Sequence, residues 1–253
     1  MQDERQQRDV VAGRQPLLEA LRAGRPINRI VLARDIRRHS AVAEILHLAR
    51  ERRIPLEYAP REMMAAVTGG TAHQGVVAYV AAKDYVSLDD LVGISSTRTT
   101  PALYVVLDGI EDPQNLGAIL RSAGAAGVHG VIVRARRAAG LTAAVSRASA
   151  GALEYVPVAR VTNISNTLEA LKENGLWVLG IDAVGEARYT DVDLRVPTAI
   201  VIGSEGKGMS DLVRRKCDIV ASIPMSGHVS SLNAAVASAL VVYEAFRQRG
   251  WHG

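Results

Sequence analysis

The chain has 253 residues, of which 48% are hydrophobic, so it can form one large domain or two ordinary ones with packed cores. No apolar run reaches the roughly 18 residues that a membrane-spanning helix requires, and the polar N-terminus lacks the hydrophobic region of a signal peptide. A single cysteine, Cys217, excludes an internal disulfide and a cysteine-based zinc site, so the composition predicts a cytoplasmic protein without membrane or metal.

The net charge of +4 is distributed unevenly along the chain. Residues 1–61 contain thirteen arginines against eight acidic residues, a net of +5, whereas residues 62–253 have a net charge of −1. An excess of arginine is typical of a surface that contacts phosphates, although a solvated surface in a protein that prefers arginine to lysine has the same composition. The imbalance favours contact between the first segment and a nucleic acid.

The beginning of the chain alternates between helical and strand periodicity. Helices are predicted at 13–23, 41–50 and 61–67, and strands at 27–33, 54–58 and 75–81. A polar stretch rich in serine and threonine follows and ends at Pro101, which indicates a linker with one short helix near 88–92. The segment before the linker is therefore predicted to be a compact α/β unit.

From residue 102 onward, the predicted strands are continuous runs of valine, isoleucine and leucine separated by helices. The strands fall at 102–108, 130–135, 155–159, 176–182, 198–203 and 218–223, and the helices at 115–126, 142–149, 164–173, 211–215 and from Ser231 onward. Such strands are typical of a parallel sheet covered by helices on both faces. Because ligands bind at the carboxyl ends of parallel strands, the loops that follow the strands are the candidate sites.

The first candidate loop spans residues 107–128 and contains Asn115 and Arg121. Asn115 stands where the N-cap of a helix is expected. Arg121 belongs to a helix whose other residues are mostly apolar, so we expect it to be buried. A buried arginine needs a carboxylate or an anionic ligand as its partner.

Two further loops are rich in glycine or in polar residues. Residues 199–210 contain three glycines and Glu205 but do not form a Walker A loop, because Met209 stands where a lysine is needed. Residues 222–240 place Ser230, Ser231 and Asn233 just before the most apolar helix of the chain. One helix cap explains only one of these three polar residues.

The three loops resemble, in sequence, order and separation, the three signature motifs of the SpoU (TrmH-like) branch of the SPOUT RNA 2′-O-ribose methyltransferases. The matching segments read DPQNLGAILRSA, IVIGSEGKGM and IPMSGHVSSLNAAVASAL. The opening VVAGRQPLLEAL is similar to that of the small ribosomal-protein-like RNA-binding domain common in this branch. The resemblance covers nearly the whole chain and is nearest to enzymes that methylate a guanosine ribose in large-subunit ribosomal RNA.

The resemblance implies an α/β fold with two domains. Residues 1–82 would bind the RNA substrate, residues 83–100 would be a linker, and residues 101–253 would form the SPOUT catalytic domain, a parallel sheet with a deep trefoil knot. The implied reaction moves a methyl group from S-adenosyl-L-methionine to a ribose 2′-hydroxyl and needs no metal. The family is dimeric, and a final helix that is apolar on every face also favours a homodimer.

The resemblance also implies the site residues. Those matched to the family's cofactor contacts are Gly203, Ile223, Met225 and Leu232. At position 203 a glycine is expected to let the main chain approach the cofactor closely. The residues matched to catalytic positions are Asn115, Arg121, Glu205, Ser231 and Asn233.

Arg121 has two candidate roles. In the family the corresponding arginine has been proposed as the general base, but a guanidinium keeps its proton in nearly every protein environment. We therefore favour Arg121 as the group that holds a substrate phosphate and promotes ionisation of the 2′-hydroxyl. Glu205 is then a residue that orients Arg121 or a backbone turn.

Three alternatives compete with this interpretation. A catalytically inactive RNA-binding module is disfavoured, because all five catalytic positions are retained. Transfer-RNA ribose methylation and antibiotic-resistance methylation of an adenosine in ribosomal RNA use the same fold, and the N-terminal domain favours ribosomal RNA. A dinucleotide-binding enzyme would need a glycine-rich fingerprint after the strand at 102–108, where LDGIEDPQN stands.

Overall fold

A computed structural model describes residues 9–70, 72–229 and 231–251 of the chain. These residues form two compact units. The N-terminal unit contains the described residues up to Asp84 together with Leu141–Tyr155, and the C-terminal unit contains Tyr85–Gly140 and the described residues from Val156 onward. Within the described ranges, no helix has the length and apolar composition that crossing a bilayer requires.

The N-terminal unit has a four-stranded sheet and three helices on its own part of the chain. The strands are β1 (Asp9–Ala12), β2 (Ile27–Ala33), β3 (Leu56–Ala59) and β4 (Val76–Val80), in the order β1-β4-β2-β3. The helices are α1 (Arg14–Arg22), α2 (Ser40–Glu51) and α3 (Arg61–Val67). All the predicted elements are confirmed within two residues. Strand β1 was not predicted, because four residues after a polar terminus are too few to show a period.

Residues Leu141–Tyr155, called here the inserted segment, contain helix α6 (Ala143–Ala148) and a 3₁₀ turn (Ala152–Glu154). The buried carboxylate of Glu154 forms an ion pair with Arg25 at 2.8 Å and lies 3.7 Å from Lys83. The Tyr155 hydroxyl donates to Glu19 at 2.7 Å. The boundaries 1–82, 83–100 and 101–253 placed this segment in the C-terminal domain, whereas the structure groups it with the N-terminal unit.

The C-terminal unit is built on a seven-stranded sheet in which every pairing is parallel, as predicted. The strands are β5 (Leu103–Asp108), β6 (Gly130–Arg134), β7 (Val158–Val161), β8 (Trp177–Ile181), β9 (Ala187–Arg188), β10 (Thr198–Gly203) and β11 (Ile219–Ser222). Their order in the sheet is β7-β6-β5-β10-β8-β11-β9. Strand β7 starts three residues later than predicted, because Tyr155 belongs to the other unit and Pro157 has no N–H to donate.

Helices cover this sheet and complete the C-terminal unit. They are α4 (Leu88–Ser96), α5 (Pro113–Ala125), α7 (Ile164–Glu173), α8 (Asp211–Lys216) and α9 (Ala234–Gln248). Helix α4 lies in the predicted linker, yet Leu91 is fully buried, and a Cβ on Gly130 would approach the Leu91 side chain to 2.3 Å. The region between the predicted domains is therefore part of a packed core.

Candidate active site

The carboxyl ends of β5 and β10 bring together one residue from each of the three motifs. The Asn115 side-chain amide donates to Glu205 Oε1 at 2.9 Å. The Asn233 side-chain amide donates to Asn115 Oδ1 at 2.9 Å and also to Glu205 Oε1. Glu205 and Asn233 lie 90 and 118 residues after Asn115 in the sequence. The triad therefore forms only because the sheet places the three loops at one edge.

Asn115 is not the N-cap of α5. Asp112 takes that role, and its side chain accepts from the Gln114 N–H at 2.9 Å, with Pro113 in the first turn. Asn115 therefore lies inside the first turn, where its side chain is directed inward and is 9% exposed. The cap at Asp112 leaves the Asn115 amide free to contact Glu205.

Asn233, one of the three polar residues before α9, has two roles in the structure. The helix begins at Ala234, three residues later than predicted, and Asn233 is its N-cap. The side-chain oxygen of Asn233 accepts from the N–H groups of Ala235 at 2.9 Å and Val236 at 3.3 Å, while its amide nitrogen serves the triad. Ser231 is exposed and precedes the helix, and Ser230 lies outside the described residues.

Glu205 is the acceptor on which the triad converges. Besides the two asparagine amides, its Oε1 faces the Ala234 N–H at 3.4 Å, in the first turn of α9. Three donors and the positive end of the α9 dipole therefore meet at this one carboxylate. The residues that Glu205 orients are thus Asn115 and Asn233, and not Arg121.

A cavity of about 350 Å³ lies beside the triad, between the ends of β8, β10 and β11 and the start of α9. It contains all four residues matched to cofactor contacts, and two of those matched to catalytic positions, namely Glu205 and Ser231. Residues that sequence reasoning missed complete the lining at the end of β8, namely Ile181, Asp182 and Ala183. The only indication of these three residues in the sequence was their position at the end of a buried strand.

Gly203 lies where the loop after β10 packs against its own main chain. A Cβ at this position would lie 2.1 Å from the carbonyl carbon of Gly208 and 2.2 Å from the Met209 nitrogen. The loop folds back on itself here, because Ser204 and Gly208 exchange backbone hydrogen bonds of 3.0 and 2.9 Å. Glycine therefore allows the loop to close against its own main chain, and this closure shapes one wall of the cavity.

The prediction that Arg121 is buried is wrong. The side chain lies on the exposed face of α5, and it makes no hydrogen bond or ion pair with the described residues. At about 100° per residue, six residues rotate Arg121 roughly 120° away from Asn115, so the two side chains cannot share one helix face. The apolar residues around Arg121 pack on the opposite side of the helix.

Beside Asn115 and Asn233, a groove runs between α5 and α9. Its walls include Val236, Leu240 and Tyr243, whose side chains are 48%, 39% and 41% exposed. The composition of the final helix suggested burial on every side, but within one chain this side of the helix is exposed. An apolar stripe along its length faces outward.

The buried carboxylate of Asp108 holds one loop of the cavity in place. Asp108, the last residue of β5, is 4% exposed and accepts from the Ser210 N–H at 2.9 Å and from its hydroxyl at 3.0 Å. Ser210 follows the loop that Gly203 begins, so both ends of that loop are fixed. Among the described residues, no group of three or more His, Cys, Asp or Glu is arranged to hold a metal.

Cys217 is unsuited to nucleophilic chemistry. Burial raises the pKa of its thiol to about 11, so the thiolate is scarce at neutral pH. Cys217 also precedes β11 and is absent from the lining of the cavity.

Two family models together match most of the chain. The SpoU rRNA methylase family matches residues 102–243, and the RNA 2′-O ribose methyltransferase substrate-binding family matches residues 10–86. YacO of Bacillus subtilis (strain 168), whose name assigns it to the TrmH family of tRNA/rRNA methyltransferases, is 44% identical over 244 residues. Those residues are 96% of this chain and 97% of YacO.

Solved structures show the same likeness in three dimensions. The SpoU methyltransferase AviRb from Streptomyces viridochromogenes, in complex with AdoMet, is 31% identical with a TM-score of 0.76, over 96% of this chain and 91% of AviRb. An AdoMet-bound rRNA methyltransferase from Sinorhizobium meliloti is 25% identical with a TM-score of 0.77, over 94% of this chain and 87% of that one. The likeness extends over both units in each case.

Proposed function

Because the chain belongs to the SpoU family of RNA 2′-O-ribose methyltransferases, we propose that it methylates a guanosine ribose in large-subunit ribosomal RNA. The observation that carries the activity is the triad of Asn115, Glu205 and Asn233 beside the cavity. The choice of ribosomal RNA is supported by the likeness, through both units, to the rRNA methyltransferase of Sinorhizobium meliloti. Ribosomal RNA matures in the cytoplasm, where we place the activity.

The cofactor of this family is S-adenosylmethionine, and the residues of the cavity fit it. Ile223, Met225 and Leu232 supply apolar walls suited to an adenine ring, and the main chain of residues 203–208 supplies polar groups for its edge. When bound, the cofactor supplies a methyl group on a sulfonium, which an oxygen nucleophile displaces. The nearby carboxylates of Glu205 and Asp182 are compatible with that positive charge.

The protein's contribution is to position the ribose and to stabilise its oxygen as it loses a proton. The first turn of α9 directs the positive end of its dipole toward the triad, where an alkoxide is favoured. Ser231 lies in the cavity wall, so its hydroxyl can hydrogen-bond the 2′-hydroxyl. Glu205 holds both asparagine amides in fixed orientations, which removes the cost of ordering them when RNA binds.

We assign the exposed stripe of α9 to a homodimer interface. Val236, Leu240 and Tyr243 are large and mostly apolar, and burying the exposed part of each, less than half of its surface, would contribute roughly 1 kcal/mol. Arg121 is exposed on α5, the helix that forms the other wall of this groove, so the partner would bring new groups near it. Light scattering is expected to give about twice the 27.0 kDa chain mass. Leu240→Glu should shift the mass toward that of one chain, and a wild-type monomer would contradict the assignment.

The substrate is tested by mapping ribose methylation across all RNA in a strain that lacks the gene. Loss of one methylated guanosine in large-subunit RNA, restored by the purified protein, is the expected result. Loss in transfer RNA, or at an adenosine, would replace the proposed substrate by one of the alternatives. Purified protein that binds RNA but transfers no methyl group to any of it would indicate an inactive binding module.

Cofactor binding is tested by calorimetric titration with S-adenosylmethionine in the presence of a metal chelator. No group of side chains in the described part of the chain is arranged to hold a metal, so binding is expected to be unaffected by the chelator. Loss of binding on chelation would contradict metal-free recognition.

A further inference from the structure

Three arginines at the end of β6 have no assigned role in the proposed reaction. Arg134 is the last residue of the strand, and Arg136 and Arg137 follow in the loop of residues 135–140. Arg136 and Arg137 are exposed, and the Arg134 side chain is 33% exposed. Three cations within four residues repel one another, and an anion bound between them would offset this repulsion.

The three arginines lie at the same edge of the sheet as the triad. Strand β6 pairs in parallel with β5, and β5 pairs in parallel with β10, which ends at Gly203. Since neighbouring strands are about 4.8 Å apart, the end of β6 is roughly 10 Å from the end of β10. This distance places the arginines beside the cavity but outside its lining.

The loop that carries Arg136 and Arg137 is fixed at both ends. The Ala135 N–H donates to the Val161 carbonyl at 2.7 Å, at the end of β7. The Ala139 N–H donates to the carbonyl of Ile110, in the turn that leads into α5, at 2.9 Å. A loop fixed in this way presents its exposed side chains at a smaller ordering cost than a free loop does.

The described residues leave most of this positive charge unpaired. Arg134 Nε lies 3.4 Å from Asp108 Oδ1, and the other oxygen of that carboxylate accepts from Ser210. Arg136 and Arg137 have no carboxylate within ion-pair distance in the described part of the chain.

We infer that Arg134, Arg136 and Arg137 bind backbone phosphates of the RNA strand beside the target nucleotide. This inference rests on the proposed function and extends it. Guanidinium groups suit the task, because their planar donors match phosphate oxygens. The C-terminal unit would then also contact the RNA, although the net charge of −1 for residues 62–253 did not indicate a phosphate-binding surface there.

The test compares Arg136→Gln, Arg137→Gln and the double variant with Arg215→Gln. Arg215 is the matched control, because it is an exposed arginine of the same unit in the last turn of α8, away from the carboxyl edge of the sheet. Arg134 is left unchanged, because its removal would strand the buried carboxylate of Asp108. The probe is a 20-nucleotide oligouridylate, whose binding is followed by fluorescence anisotropy across a potassium chloride series.

The double variant is expected to bind the probe more weakly and with a shallower salt dependence. Each phosphate contact to a single strand contributes a slope of about 0.7 in log affinity against log salt, so the double variant should lose about 1.4. Arg215→Gln should keep the wild-type slope. Calorimetric binding of S-adenosylmethionine should be the same in all variants, which shows that the cavity is intact.

An unchanged slope in the double variant, an equal loss in Arg215→Gln, or no binding of the probe by the wild type would overturn the inference. Methyl transfer to ribosomal RNA by the wild type is measured separately. If the wild type transfers methyl groups but the double variant binds the probe normally, only the phosphate-binding role of these arginines is contradicted. If binding depends on the arginines but the wild type transfers no methyl group, the phosphate-binding role stands and the proposed activity is contradicted.

Discussion

Asn233 shows how one side chain can serve a helix cap and the candidate active site at once. Its oxygen caps α9, and its amide nitrogen joins the triad. The sequence showed that polar residues precede the apolar helix, but it did not show that one of them both caps the helix and contacts the other two residues of the triad. Those two residues are Asn115 and Glu205, which lie 118 and 28 residues away in the chain.

Substitution of Asn233 by Asp or Ala separates these two uses. Asp keeps an oxygen for the N–H groups of Ala235 and Val236, whereas Ala loses a cap worth about 1 kcal/mol. Both lose the amide donors, and Asp adds a carboxylate next to Glu205. Methyl transfer is expected to fall on the order of 100-fold in both. Near-normal methyl transfer in Asn233→Asp, which keeps the oxygen that caps α9, would contradict the role of the amide.

His129 makes the stability of the C-terminal unit depend on pH. It is 1% exposed, its Nδ1 accepts from the Leu103 N–H at 3.2 Å, and burial lowers its pKa to about 4. The unfolded chain binds a proton near pH 6.5, so stability is full above that pH and is lost as the pH falls toward 4.

Between pH 7 and pH 5, the loss of free energy of unfolding from His129 should be about 1–2 kcal/mol. Urea denaturation at the two pH values measures it. His129→Asn keeps an acceptor for the Leu103 N–H but does not titrate, so its pH dependence should be smaller. Equal pH dependence in both proteins would show that other groups are responsible.

At the scale of elements, the sequence predicted what is local and missed what depends on contacts across the fold. Continuous apolar strands predicted the parallel sheet, and every helix was placed. The start of α9, the inward position of Asn115 and the exposure of Arg121 were missed. Each depends on which helix face meets the sheet or on which residue caps the helix, and a single chain's periodicity does not specify these in advance.

The loop after β10 offers a test of its own geometry. Gly203→Ala places a Cβ about 2 Å from main-chain atoms, which cannot move aside without opening the loop. Gly206→Ala is the matched control, because a Cβ there meets nothing within 4 Å and only the φ of +76° is strained. We expect Gly203→Ala to lose S-adenosylmethionine binding and Gly206→Ala to keep most of it. Equal affinities in calorimetry would mean that the loop does not shape the cavity.

At the scale of the molecule, RNA binding by the N-terminal unit stays a prediction, and the inserted segment changes how it is tested. A chain of residues 85–253 keeps the cavity residues but removes Glu19, Arg25 and Lys83, which hold the inserted segment. It should bind S-adenosylmethionine normally and ribosomal RNA weakly. Equal RNA binding by the short and full chains would contradict the division of labour.

The same short chain should expose its inserted segment to protease. Val145 and Leu153 are buried in the full chain and would lose their cover. Limited digestion with trypsin is therefore expected to cut at Arg147 in the short chain before it does so in the full chain. Identical cleavage patterns would show that the segment holds its structure without the N-terminal unit.

The chain passes from one unit to the other after Asp84, Gly140 and Tyr155, and this order determines when each unit can be completed during translation. When the first 84 residues leave the ribosome, the acidic partner of Arg25 has not yet been made. Residues 85–155 must follow, which at about 5–20 residues per second takes roughly 4–14 s. During that interval the nascent N-terminal unit lacks the inserted segment, and it is complete only after β5 and β6, two of the seven strands of the C-terminal sheet, have been translated.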